Sequence, residues 1–205
     1  MPTLTASTLI TKAAYLLNDN DNTRWTLPEM YGWLTDGQRE AVVIRPTLFC
    51  KVVARTLVAG PRQSLADITD YNLLVVIKRN LAADGVTGGR VIGMTSEALL
   101  DALDPDWHTS PSAMVITNFT FDPATRTVYQ VYPPAIAGAK VELTYSAIPP
   151  AVVDGTDVIS LPDETGTALI DYLCYRALSK DAEFGDNSAK AAAHYKLFTD
   201  AIPKV

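Results

Sequence analysis

From Ser7 to Asp19 the apolar residues Leu9, Ile10, Ala13, Ala14, Leu16 and Leu17 recur at three- and four-residue spacing, which predicts an amphipathic helix. Asn18-Asp-Asn-Asp-Asn22 ends it. A second helix starts at Thr26, where Thr26 and Glu29 have capping-box spacing and Pro28 suits the first turn. Its stripe is Met30, Trp33, Leu34, Gly37, Ala41 and Ile44, with Asp36, Arg39 and Glu40 opposite. Arg45-Pro46 stops it, because a proline ring disfavours helical geometry in the residue before it.

From Phe49 onward the pattern changes to valine- and threonine-rich runs punctuated by glycine and proline, which predicts strands near 49–58, 73–80, 90–94, 114–121, 127–132 and 140–148. In the last of these Val141, Leu143, Tyr145 and Ala147 alternate with Glu142, Thr144 and Ser146, so one face is expected to pack and the other to meet water. Asp122-Pro-Ala-Thr-Arg126 reads as a hairpin loop, and Ser96 as the cap of a short helix over 96–102.

The helical period returns after Pro149-Pro150. Leu169, Ile170, Leu173, Cys174, Ala177 and Leu178 form a wide stripe between Pro162 and Phe184, and Gly185 is the expected stop. Asn187 caps a last helix with Ala191, Tyr195, Phe198 and Ile202 on one side. The N-terminal stripes find comparable helical partners only more than 100 residues downstream, so the two helix pairs are expected to dock together. The fold expected is α+β: a four-helix bundle of residues 1–47 with 151–205, carrying an inserted antiparallel, sandwich- or barrel-like β-rich domain of residues 48–150.

Composition alters this picture little. The chain has 205 residues, 48% hydrophobic and 20% charged, which is enough to bury a core without staples. Cys50 and Cys174 sit in apolar surroundings and read as small buried hydrophobes of a reducing compartment, a disulfide between them being the alternative. The first residues carry no basic leader and no run reaches membrane-spanning length, so a soluble, cytoplasmically made protein with no membrane partner is expected. The net charge of −6 is the wrong sign for gripping phosphate backbones. Residues 48–148 hold eight basic and nine acidic side chains, so the excess of acid belongs to the terminal segments, nine basic against fourteen acidic.

Chemistry is sparse. His108 and His194 lack helical spacing to another His or Cys ligand, and no paired-cysteine or His-Glu-x-x-His motif occurs. Asp101, Asp104, Asp106 and His108 are the densest ligand-capable group; they read as a helix end and an Asp-Pro turn with local hydrogen-bond acceptors, against a metal site. Gly85-Val-Thr-Gly-Gly-Arg90 lacks the Lys-Ser/Thr of a phosphate loop and reads as a loop before a strand. No serine stands in a Gly-x-Ser-x-Gly turn, and Asp163-Glu164 is explained by a helix start. No catalytic residue, cofactor or metal is therefore assigned. Trp25 and Trp107, beside Arg24 and His108, are either interface anchors or core rings under loops; Arg39, Arg45, Arg62 and Arg176 are either interface or solvated arginines.

Seven segments in order carry a resemblance: Arg24-Trp-Thr26, Trp33-Leu-Thr-Asp-Gly-Gln-Arg-Glu40, Gly60-Pro-Arg-Gln-Ser-Leu65, Asp101-Ala-Leu-Asp-Pro-Asp-Trp-His108, Val131-Tyr-Pro-Pro134, Tyr145-Ser-Ala-Ile-Pro-Pro150 and Asp171-Tyr-Leu-Cys-Tyr-Arg-Ala-Leu-Ser-Lys-Asp-Ala-Glu-Phe184. Across nearly its full length the chain resembles the head-to-tail adaptor proteins of short-tailed bacteriophages (podoviruses), the tail-tubular or gatekeeper component beneath the portal. Pro61 and Ala66 depart from the pattern, in a loop, where a polar residue and a proline are expected.

The resemblance implies a non-enzymatic structural protein of the virion, at the head-tail junction. It implies a ring of about twelve copies on the portal protein, a platform for the tail nozzle and sometimes fibres, and a channel through which genomic DNA passes without specific binding. On that view Trp25, Arg39, Arg45, Arg62, Trp107, His108 and Arg176 are interface candidates, while Asp36, Glu40, Asp181 and Glu183 face the channel and repel DNA. A tail-associated glycan-binding or carbohydrate-processing module, working through Trp107, His108 and the nearby aspartates, is the alternative.

Overall fold

Helix α1, Ala6–Leu17, starts where the Thr5 hydroxyl accepts from the Thr8 N–H. It ends at Asn18, which adopts a left-handed φ of 55° and returns its N–H to the last turn. In the connector Asp19 takes over, accepting from the N–H groups of Thr23, Arg24 and Trp25 and from the Thr23 hydroxyl. Burial alone would raise its pKa; these hydrogen bonds outweigh it and hold Asp19 below the usual carboxylate range. Helix α2, Leu27–Ile44, then begins with the Thr26 N–H and hydroxyl both donating to Glu29 Oε2 at 3.2 Å. The computed structural model describes residues 2–202, which divide into two compact units, 2–49 with 148–202 and 50–147.

In the helical unit α2 leads through a 3-10 turn, Pro46–Leu48. After the connector 149–162 and a second such turn, Asp163–Thr165, come α4, Gly166–Lys180, and α5, Asn187–Ala201. The start of the chain is sewn to this connector by backbone: Ala6 N–H donates to Asp157 O at 2.9 Å, Ser7 to Gly155 O at 3.0 Å, and Ile159 to Leu4 O at 2.9 Å. Asp163 accepts from the Thr3 and Leu4 N–H groups, which are more than 150 residues away in the chain.

The arrangement is not the expected four-helix bundle with an inserted domain; the described residues form an α+β fold of five α-helices and two four-stranded sheets. The physical reason lies in α4. Its buried Ala168, Leu169, Tyr172, Leu173, Cys174 and Ala177 cover most of its circumference, and α1, α2 and α5 each pack chiefly on it. The last helix buries only Ala191 and Phe198 within its span, too little for a fourth corner of a shared core. The buried face of α2 is also rotated from the predicted stripe. Trp33 and Ile44 are only half-buried, while Thr35, Gln38 and Val42 are buried. Those two polar side chains serve the connector: Thr35 Oγ1 accepts from Val152 N–H at 2.9 Å and Gln38 Oε1 from Ser160 N–H at 2.8 Å.

In the second unit one sheet has the order β1 (Cys50–Thr56), β8 (Lys140–Ala147), β3 (Tyr71–Leu81), β4 (Gly88–Val91). The other runs β2 (Gly60–Ser64), β7 (Val128–Ala135), β6 (Asn118–Phe121), β5 (Gly93–Met94). All neighbours are antiparallel except β5 and β6, which are parallel. Strands β4 and β5 were predicted as one run, 90–94. A single residue, Ile92, separates them, its N–H on Lys78 O and that of Gly93 on Thr117 O, so the run passes from one sheet to the other. Strand β2 was not predicted: Gly60-Pro-Arg-Gln-Ser64 has no apolar alternation, and it pairs because β7 offers it a partner. The predicted strand over 114–121 is confined to β6.

Strand β8 lies between β1 and β3, and there the predicted wet face fails: Thr144 and Ser146 are 7% and 0% exposed. Ser146 Oγ accepts from Asn72 Nδ2 at 3.2 Å. Buried Asn80 ties β3 to the segment before β6, its amide donating to Ile116 O at 2.8 Å and Arg90 O at 3.0 Å while Oδ1 accepts from Ile116 N–H at 2.8 Å. Of the two cysteines, Cys174 is buried in α4, its thiol pushed up to about 12 by burial, but Cys50, expected inside, is exposed at the start of β1.

Candidate functional site

Across the helical unit, charged and phenolic groups link α2 to α4 and α5. Arg24 Nε donates to Asp181 Oδ2 at 2.7 Å, with its guanidinium 5.1 Å from the Trp25 ring centroid and 5.5 Å from that of Phe184. Lys180 pairs with Glu29 and is the leading cause of that carboxyl's lowered pKa. Arg176 pairs with Asp36 at 3.3 Å, and the Tyr195 hydroxyl donates to Glu40 Oε1 at 2.7 Å. Between α4 and α5, His194 Nδ1 lies 2.8 Å from Asp171 Oδ1. Tyr172, Tyr175, Tyr195 and Phe198 cluster beside it in edge-on and tilted contacts, with centroids 4.8 to 6.2 Å apart.

These contacts decide where the acidic candidates stand. Asp36, Glu40 and Asp181 each hold a partner within their own unit, whereas Glu183 is exposed and without one among the described residues. Of the arginines, Arg176 is spent on Asp36 and on the Tyr172 hydroxyl. Arg39 reaches only Pro149 O, at 3.3 Å, and Arg45 only Thr47 Oγ1, at 3.3 Å. The Trp25 ring is 4% exposed, packed in the helical core, so its face is not presented to a partner.

In the β unit the sequence placed Arg62 and His108 apart, and the fold brings them to one open concavity of about 650 Å³. Its floor is a row across three strands, Arg62, Gln130 and Thr120, paired in register. One wall comes from α3, Glu97–Leu103, and the turn after it; the other comes from Asp122 and Thr125 of the β6–β7 hairpin. Gln130 Nε2 donates to Glu97 Oε1 at 2.7 Å. Glu97 as a carboxylate only accepts, so the amide's orientation is set, and Gln130 Oε1 faces His108 Nε2 at 3.1 Å as the acceptor. The imidazole proton is thereby placed on Nε2.

Trp107, in the same segment, is 0% exposed; its indole donates to Asp101 Oδ1 at 2.8 Å and its ring stacks on His108 with centroids 3.7 Å apart. Asp104 caps the turn, accepting from the Asp106 N–H and the Ser110 hydroxyl. The carboxylates of Asp101 and Asp104 thus act as local acceptors, and Asp106 joins the turn through its backbone. The Gly85–Arg90 stretch lies in the β3–β4 hairpin, where Asp84 accepts from the Thr87 hydroxyl and the Val86 and Thr87 N–H groups; these hold it down to about 2.

Sequence reasoning missed Arg24, Glu97 and Gln130. The flanking Trp25 was a usable signal for Arg24. Glu97 in α3 and Gln130 in β7 lie 33 residues apart and meet only in the fold, which no local pattern encodes. No helix among the described residues is long and apolar enough to cross a membrane. No curated protein matches the chain. The family model described as SU10 adaptor protein matches residues 4–205. The match runs over nearly the whole length and makes this chain a member of the SU10 adaptor protein family, a structural adaptor of phage.

Proposed function

We propose that the protein is the head-to-tail adaptor of its virion, with about twelve copies forming a ring between the portal and the tail nozzle and continuing the DNA channel. The match to the adaptor family over residues 4–205 carries this reading. Family membership supports a phage structural adaptor; the ring, the podovirus-type tail and the partners are the reading's own content. Many copies of a modest contact make a stable joint through multivalency. No cofactor and no catalytic step enter.

Passing DNA meets like charge, since the chain carries −6 and its excess acid lies in the terminal segments. That repulsion rests on the total, because Asp36, Glu40 and Asp181 are each tied to a neighbour. Portal and nozzle are assigned Arg62 and the exposed His108 as contact groups; Arg176 and the buried Trp25 and Trp107 hold the scaffold of their own units. The glycan-binding alternative loses its aromatic platform, since Trp107 has no exposed face. Electron microscopy of the protein mixed with its portal tests the reading: a second ring stacked on the portal is expected, and portals that remain bare at saturating protein refute it.

A further inference from the structure

The turn between α4 and α5 carries an aromatic residue with no core to enter. Phe184 is 64% exposed, and Arg24, bound to Asp181, lies against its ring. Around it Glu183, Asp186 and, from the α1–α2 connector, Asp21 are exposed and pair with no cation among the described residues. Of the nearby cations Arg24 is engaged by Asp181 and Lys180 by Glu29, which leaves Lys190, one turn into α5 from Asp186, against the three carboxylates. This end of α2 therefore presents a phenyl ring amid a net excess of negative charge.

The other end of α2 has the opposite character. Arg39 and Val43 are one turn apart on its exposed stripe, and Val43 is 73% exposed. Ile148, 41% exposed, adjoins Pro149, whose carbonyl Arg39 contacts. Neither Arg39 nor Arg45 has a carboxylate partner among the described residues. Fourteen residues of helix separate Glu29 from Val43, about 21 Å at the α-helical rise, so the two ends cannot meet within one molecule.

We propose that they meet between molecules: the Phe184 turn of one copy docks on the Arg39–Val43–Arg45 end of α2 in a second copy of this chain. Glu183 and Asp186 face Arg39 and Arg45, and Phe184 covers Val43 and Ile148. The two surfaces are different, so the contact is heterologous, and repetition with a closing rotation gives a ring. Complementary charge selects the partner and the register, and the buried apolar residues hold it. The contact deepens the ring reading and rests on it only for closure, because docking itself needs no portal.

The test traps the contact in the full chain carrying Cys50→Ser. Val43→Cys with Phe184→Cys, oxidised at high protein concentration, is expected to give a ladder of covalent dimers and higher species. Val43→Cys with Leu16→Cys, both exposed positions, serves as the unmatched control. In the matched pair, either Glu183→Arg with Asp186→Arg or Arg39→Glu with Arg45→Glu lowers the yield about tenfold, and mixing the two reversed proteins restores it as heterodimers. Circular dichroism checks that each variant is folded. Equal yields from matched and unmatched pairs, or a mixture no better than its components, overturn the proposal. A second ring on the portal without matched cross-links removes this contact and leaves the adaptor reading standing; matched cross-links with bare portals do the reverse.

Discussion

Gly37 of α2 faces Tyr172 of α4 so closely that a β-carbon on Gly37 would lie 2.8 Å from Tyr172 Cδ1 and 3.4 Å from Leu169 Cδ2. The glycine sets the approach of the two helices, and Tyr172, 2% exposed, has no room to retreat because Phe198 packs against its other side with centroids 4.9 Å apart. Gly37→Ala gains helix propensity of about 1 kcal/mol. Overpacking costs about 1–3 kcal/mol and prevails. A lowered thermal midpoint is the expected result, and an unchanged or raised one would show that the helices move apart freely.

Thr35 and its neighbour Gln38 supply acceptors to a connector with no sheet of its own. Thr35→Val keeps the shape and removes the hydroxyl that accepts from Val152 N–H and donates to Tyr31 O. A buried amide left without an acceptor costs about 1–3 kcal/mol. Urea unfolding should show that loss, and hydrogen exchange at Val152 should quicken more than in α4.

Asn80 plays the matching part in the β unit. Asn80→Ala removes both partners of the Ile116 backbone and one from Arg90 O, for an expected loss of about 2–4 kcal/mol. Asn80→Asp should be worse, since a carboxylate oxygen would then face two carbonyls. Chemical denaturation ranks the two.

Acid sensitivity follows from carboxyls held below their ordinary values. Asp84, brought from 3.8 to about 2 first by the Thr87 hydroxyl and then by the Val86 and Thr87 N–H groups, is the largest case. Its folded value lies below its unfolded one, so its contribution is complete above pH 3.8 and is lost as pH falls through about 2. Asp84→Asn removes the titration and keeps an acceptor. Its thermal midpoint should decline less than the parent's between those two pH values; parallel declines would mean that the turn does not couple to stability.

How much was legible in the chain varies with the range of the interaction. The helix starts at Thr5 and Thr26, the Ser96 cap, the Asp122–Arg126 hairpin and the core side of β8 depend on residues within a few positions, and local pattern carries them. The Asp101–His108 segment was legible too, as a helix end and turn in which the Asp101 and Asp104 carboxylates bind nearby donors.

Tertiary structure alone decided the rest. A helical stripe says that a face must be covered and is silent on what covers it. The bundle expectation docked one helix pair on the other, whereas the breadth of α4's buried surface made it the centre on which the others lie. The burial of Thr35, Gln38 and Thr144, the pairing of Gly60–Ser64 and the meeting of Arg62 with His108 share one cause. Each depends on a partner brought from tens of residues away, and amphipathic periodicity records only that a residue is wanted inside, never the neighbour that will satisfy it.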